Sequence, residues 1–322
     1  MQYPVVRLFR RLIFFSPVFA ILPLMFAQQS ADLTIRHKVV RARVDVRVAL
    51  KHNAQTLSDL TADDFTISEN GHAAVIKNAD HQSVPLDLIL MLDVSDSMNH
   101  VAEELTGAAA DLLSTLTPGD RIAVIEFGGS IVARTEFTAD KETLVAAILR
   151  AKGDVGRAPG ATAIFDSVVN AAGMFEGPAP ANRRRAVLVV TDDIDNQSRA
   201  GTKEAISAVL EKDAVLNAVV IGSPMTTVTK GVYKVGPSRF ILPLKSLKPV
   251  AAETGGEFLP GRHSVELVKT ALERIRTRYL ITYDPGAESD GCAKILTELT
   301  RGARARYPDA VIYAPRHRAC RP

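Results

Sequence analysis

From Leu86 to Leu92 the chain carries Leu, Ile or Met at every position except Asp87. A run of this length suits a strand buried on both faces, central in a parallel sheet. Val187 to Thr191 is a second, nearly unbroken apolar run. Earlier, Val40 to Leu50 alternates apolar residues with Arg41, Arg43, Asp45 and Arg47, the period of a strand with one wet face. Two short runs, Phe65–Glu69 and Ala73–Asn78, flank Asn70-Gly71 and predict a hairpin. From Val84 strands and helices alternate. Strands are predicted at 86–93, 121–127, 131–135, 185–191, 215–221, 256–259 and 279–283, and helices near 98–116, 140–151, 163–175, 202–213, 245–254 and 263–277. The pattern is that of an α/β fold, a doubly wound and mostly parallel sheet. Gly128-Gly129 leaves only a short turn before 131–135, which makes that strand antiparallel and places it at an edge. Residues 223–244 read as an irregular insertion in which a short hairpin fits.

These patterns divide the chain into residues 28–84, a small β domain packed on its neighbour, 85–283, the α/β domain, and 284–322, a C-terminal extension. Residues 1–27 are expected to be a signal peptide: Arg7, Arg10 and Arg11 precede an apolar stretch from Leu12 to Phe26, with Ala27 at the cleavage point. The stretch is broken by Pro17 and Pro23 and falls short of the roughly 20 residues of a membrane span. The chain is therefore expected in the periplasm or outside the cell, and at a membrane only if this segment stays uncleaved. Without those three arginines the basic and acidic side chains balance. A neutral chain that contains no Trp gives no reason to propose nucleic acid. The chain is expected to act as a monomer. Export favours a disulfide between Cys292 and Cys320, the only two cysteines, with two unpaired thiols as the alternative. In the final stretch Arg301, Arg304, Arg306, Arg316, Arg318 and Arg321 face the acid Asp309, and read as a solvated face on a closing strand pair.

The candidate chemistry lies where apolar strands hand over to loops. Asp93, Ser95 and Ser97 follow the first run, Thr162 precedes the helix at 163–175, and Asp192 follows the Val187–Thr191 run. The carboxyl edge of an open α/β sheet is where ligands bind. Hydroxyls and carboxylates, with no His or Cys among them, suit a hard divalent cation, Mg²⁺ or alternatively Mn²⁺ or Ca²⁺. Each residue alone has a structural reading: Ser97 and Thr162 could cap helices, and Asp192 could close a turn. Asp193 and Asp195 add acid at the same rim. Arg183, Arg184 and Arg185 begin the strand that ends near Asp192, roughly 20 Å from the site at about 3.3 Å per residue. They read as a solvated entry to that strand.

In order, type and setting these five residues match an Asp-x-Ser-x-Ser, Thr, Asp pattern. The stretch 85–283 resembles a von Willebrand factor type A domain with a metal-ion-dependent adhesion site, as found in bacterial exported proteins. The resemblance implies that Ser95, Ser97 and Thr162 offer hydroxyl oxygens to the metal. Asp93 and Asp192 would act largely through bound water, and the free metal position would take a carboxylate from a partner protein. The sequence departs from the family at Asp96, where Gly is usual.

The implied function is a protein-binding module, not an enzyme. The rival enzyme reading is a metal-dependent hydrolase or phosphatase on a Rossmann-like sheet with Asp93 as nucleophile. Such enzymes resemble Asp-x-Asp at this strand end, and here Ser95 takes the second position. No Gly-x-x-x-x-Gly-Lys-Ser/Thr, His-Glu-x-x-His or Gly-x-Ser-x-Gly occurs. A metal-free scaffold is the third reading.

Overall fold

The computed structural model describes residues 42–81, 84–104, 107, 114–156, 161–177, 179–180, 182–222, 245–285 and 292–318, and the backbone of three short strands between 226 and 240. All lie in one compact unit, Val39–Pro322. The expected signal peptide falls outside the described residues, as do 105–106 and 108–113 of the expected helix at 98–116, whose described start is a 3₁₀ turn, Asp96–Val101. The chain runs through β1 (Ala42–Leu50), β2 (Phe65–Glu69), β3 (His72–Ala73), β4 (Val75–Asp80), β5 (Leu86–Asp93), β6 (Arg121–Phe127) and β7 (Ile131–Arg134). Then come β8 (Arg184–Thr191), β9 (Ala214–Ile221) and the short strands β10 (Thr226–Thr229), β11 (Val232–Val235) and β12 (Ser238–Phe240). The last are β13 (Phe258–Gly261), β14 (Tyr279–Asp284), β15 (Ala293–Leu299), β16 (Ala310–Tyr313) and β17 (His317–Arg318).

The central sheet has the order β13-β9-β8-β5-β6-β7. β13, β9, β8, β5 and β6 are mutually parallel. β7 pairs antiparallel with β6 at one edge, as Gly128-Gly129 predicts. Every residue of β5 is buried, because helices cover both faces. On one face Leu88, Leu90 and Leu92 pack with Leu144 and Ile148 of α1 (Lys141–Asp154) and with Val268, Leu272 and Ile275 of the long helix Ser264–Arg276. On the other, Ile89 and Met91 pack with Phe165 and Val168 of α2 (Ile164–Gly173), Val209 of α3 (Thr202–Glu211) and Val250 of α4 (Leu247–Thr254). Ser264–Arg276 is α5. Fully burying each such side chain stabilises the fold by about 1.5–3 kcal/mol, which fixes β5 at the centre.

The strands of the small β domain expected at 28–84 pair with strands from the other end of the chain. β1 lies between β14 and β16, and β14 lies between β1 and β4. A second sheet has the order β17-β15-β2-β3. Val44, Val46 and Val48 share a core with Tyr279, Ile281, Tyr283 and Ile295. Thus the two ends of the described chain build one β unit. The strand expected to close the α/β domain, 279–283, belongs to that unit. Periodicity reports a buried strand and not its partner, so the sequence placed β14 in the wrong sheet. The Asn70-Gly71 turn is present, with Asn70 at φ 49° and Gly71 at φ 84°, joining β2 to β3. The expected irregular insertion is a three-stranded antiparallel sheet, β10-β11-β12.

The wet face of β1 is partly closed, and the arginine triplet is not solvated. Arg47 is buried and pairs with Glu257 at 2.8 Å. Arg184 is buried, ion-paired with Asp45 at 2.6 Å, and donates to the carbonyls of Arg276 and Arg278. Arg183 pairs with Asp87 at 2.9 Å, and Arg185 is buried as well. These side chains donate to carbonyls and carboxylates at the amino edge of the sheet that need donors, Arg184 reaching the β unit through Asp45 and Arg183 and Arg185 staying within the central domain. Of the terminal arginines, Arg306 pairs with Asp64 and Arg318 with Glu69, so they tie β elements together and are not merely a wet face. Cys292 is disulfide-bonded; Cys320 lies outside the described residues.

Candidate metal centre

β5 and β8 are neighbours in register, Leu92 opposite Val190. Their ends therefore bring Asp93 and Thr191-Asp192 to one edge. Asp93 is 1 % exposed. Its Oδ1 accepts from the Ser95 N–H at 2.9 Å and its Oδ2 from the Thr191 hydroxyl at 2.6 Å. The loop then turns because the Val94 N–H donates to the Phe127 carbonyl at 2.9 Å. Ser95 is the N-cap of a 3₁₀ turn, Asp96–Val101, and its hydroxyl lies 3.1 Å from that of Ser97. Asp192 is 4 % exposed. One of its oxygens accepts from the Ile194 N–H at 3.1 Å, and the other, Oδ2, is buried with no hydrogen-bond partner.

Thr162 reaches the same edge through two anchors. The Ala163 N–H donates to the Gly128 carbonyl at 2.7 Å, just past β6. Asn196 accepts from the Thr162 N–H at 2.8 Å, while the N–H groups of Asn196 and Gln197 donate to the Thr162 carbonyl. Thr162 is buried and does not cap α2, whose N-cap is Ala163 with no side-chain bond. The capping alternative fails for Thr162.

Burial and the neighbouring Asp192 carboxylate push Asp93 up to about 6. Burial also raises Asp192, offset in part by the Ser97 hydroxyl. Two neighbouring carboxylates, one with a buried oxygen that has no hydrogen-bond partner among the described residues, form a place that favours positive charge. All the donors are hard oxygens, and two of the five candidates are carboxylates, so the set fits a hard cation. Among the described residues no group of three or more His, Cys, Asp or Glu side chains is placed to hold a metal. A site built from two carboxylates and three hydroxyls is not of that kind. The residues fit Mg²⁺-type chemistry.

The other rim acids are committed elsewhere. Asp193 adopts φ 62°, which turns its side chain to the start of α4. There it accepts from the Leu247 N–H at 2.9 Å and the Ser246 hydroxyl at 2.6 Å. Asp195 accepts from the N–H groups of Gln197 and Ser198 at 3.2 and 3.0 Å. Each therefore holds a loop, and the expected acidity of the rim is felt at Asp193, which burial and the Asp192 and Asp195 charges push up to about 6. Asp96 is exposed. Sequence reasoning overlooked two supporting residues. Thr191 steadies Asp93 and Asn196 steadies Thr162; the signal for the first is a hydroxyl at the last position of a buried strand.

Residues 88–194 match the model of the von Willebrand factor type A domain family. The matched stretch is about a third of the chain and contains all five candidate residues. Among solved structures, an aerotolerance-related membrane protein from Bacteroides fragilis carrying multiple mutations to serine is 18% identical. The likeness covers 59% of this chain and 98% of that one, with a TM-score of 0.46. BatB from Bacteroides thetaiotaomicron is also 18% identical, covering 59% and 97% at a TM-score of 0.43. A von Willebrand factor type A protein from Catenulispora acidiphila is 15% identical, covering 82% and 75% at 0.45. No curated protein sequence matches this chain. Over residues 88–194 the chain is thus similar to domains of von Willebrand factor A type.

Proposed function

We propose that this protein is an exported protein-binding module that recognises a carboxylate of a partner protein through a divalent cation. Asp93, Ser95, Ser97, Thr162 and Asp192 would hold the cation, Mg²⁺ or alternatively Mn²⁺ or Ca²⁺. The observation that carries this reading is the buried Asp93–Asp192 pair with an unsatisfied Asp192 Oδ2, beside the Ser95 and Ser97 hydroxyls. When bound, the metal supplies a Lewis-acidic position to which an outside carboxylate can add. The chain's own residues set up that position. Thr191 and the Ser95 N–H hold Asp93 in one orientation, and Asn196 and Gln197 anchor the Thr162 backbone. No helix among the described residues is long and apolar enough to cross a membrane.

Isothermal titration with Mg²⁺, Mn²⁺ and Ca²⁺ tests the site. One saturable binding event is expected in the wild type and none in Asp93→Ala or Asp192→Ala. Absence of binding in the wild type would sink the reading. Capture of the partner from the native cell envelope should depend on cation and be lost on chelation. We propose binding and not turnover because Ser95 stands where a phosphatase of the Asp-x-Asp type needs its acid. Hydrolysis of p-nitrophenyl phosphate that disappears in Asp93→Asn would reverse that choice.

A further inference from the structure

At the opposite, amino edge of the central sheet a cleft opens between β8, β9 and the β unit. It is lined by Arg43, Arg183, Arg184, Arg185 and Arg318, with Asp45 and Asp213 as its acids. Three of these arginines meet carboxylates: Arg183 meets Asp87, Arg184 meets Asp45 and Arg318 meets Glu69. Arg43 donates to the carbonyls of Pro180 and Arg183. Arg185 differs. It is 5 % exposed, and its guanidinium donates only to the carbonyls of Gly177, Lys212 and Glu176, at 2.8, 3.2 and 2.7 Å. It also stacks over Phe175 at 5.1 Å. Its Nε is buried and has no partner. Among the described residues no hydrogen bond or ion pair joins Arg185 to a carboxylate. Asp87 and Asp213 act on it only from a distance, and Arg43 and Arg121 oppose them.

A buried guanidinium without a counter-ion is costly, and the cost is normally met by an acid or by a bound anion. Here neighbouring arginines converge on the same space, and Arg is the side chain best suited to oxyanions because it presents several donors in one plane. The cleft has a volume of about 40 Å³, a few times the 10–15 Å³ or so that one water requires. That admits a compact oxyanion and is too small for a nucleotide.

We propose that this cleft binds a small tetrahedral oxyanion of the phosphate or sulfate type, with Arg185 and Arg43 as its principal donors. The site is separate from the candidate metal centre and does not depend on it. A bound anion would join β8 to β1, because Arg43 lies on β1 and Arg185 on β8.

The test uses the full chain, stripped of divalent cations beforehand, at constant ionic strength. Inorganic phosphate is titrated calorimetrically, and the unfolding temperature is followed in phosphate against chloride. One saturable site and a rise in unfolding temperature are expected. Affinity should fall at least tenfold in Arg185→Gln and in Arg43→Gln, the latter a half-buried position included in case the former fails to fold. Methyl phosphate, tested in parallel, tells free phosphate from the end of a larger phosphomonoester; saturable binding of either supports the site. No saturable binding of phosphate or methyl phosphate in the wild type, or equal binding in a folded Arg43→Gln chain, overturns it.

Discussion

Thr191 is the residue on which the geometry of the candidate site depends most. Its hydroxyl donates to Asp93 and accepts from the Asp193 N–H at 3.1 Å. Thr191→Val keeps the shape and deletes both bonds, leaving a buried carboxylate oxygen and a buried N–H unsatisfied. A loss of about 1–3 kcal/mol is expected, read as a lower urea midpoint at unchanged slope. Asp96 should matter much less. Its side chain is exposed, and an exposed charge contributes up to about 1 kcal/mol, so Asp96→Gly should change cation affinity by less than about fivefold in calorimetry. Asp45 is a third case. Burial pushes its carboxyl up, but the guanidiniums of Arg184 and Arg278 outweigh that and hold it below the ordinary range. A carboxyl whose folded value is depressed contributes stability above its unfolded value of about 3.9, and that stability is lost as the pH falls further. Asp45→Asn should therefore cost about 3–5 kcal/mol at neutral pH, and its urea midpoint should fall less steeply than the wild type's below pH 4. The five candidate ligands were legible as residue types at strand ends. The roles of Asp193 and Asp195 were not, because a carboxylate's direction follows from backbone turns such as the positive φ of Asp193, for which the chain carries no marker.

Strands and helices of the central domain follow closely from periodicity. The runs predicted at 86–93 and 121–127 appear as β5 and β6 with those bounds, since continuous apolar runs have few other uses in a covered parallel sheet. α5 starts and stops within a residue of its expected span, because its buried positions Val268, Ala271, Leu272 and Ile275 repeat at helical spacing. Pairing was harder to read. β14 is apolar like the central strands, and only its contacts with β1 and β4 reveal its sheet. β15, the short helix Arg301–Arg306 and β16 went unpredicted in detail, their arginines drawing attention to charge and away from the buried Ala293, Ile295, Leu299 and Ala303. One glycine holds two elements together. A Cβ on Gly256 would lie 1.8 Å from the Leu216 carbonyl oxygen on β9. Gly256→Ala must push β13 and α4 off β9, and a loss of about 1–3 kcal/mol or more is expected in urea unfolding.

On the scale of the whole molecule, the central α/β domain and the β unit are joined by ion pairs across their common boundary. Arg184 and Arg278 reach Asp45 from the central domain and β14 side, and Arg47 of β1 reaches Glu257 beside β13. A chain trimmed to residues 85–283, the span that the sequence marks as one domain, would lose β1 and β4, both partners of β14. It would also strip Arg184 and Arg278 of their carboxylate. Such a chain is expected to bind 1-anilinonaphthalene-8-sulfonate and to be cleaved by trypsin far faster than the full chain. Protection equal to that of the full chain would mean that the core stands without the β unit.

The placement of β1 has a further consequence during synthesis. β1 is among the first described segments to leave the ribosome, yet its partners are β14 and β16, near the other end. Until Tyr279–Asp284 and Ala310–Tyr313 emerge, Val44, Val46 and Val48 have no strand to pair with. The central sheet, by contrast, closes over shorter separations and can assemble while translation continues. For most of its biogenesis the polypeptide therefore carries an apolar strand with both edges bare. Such a segment is a natural docking point for the holding chaperones that keep a nascent protein competent to fold.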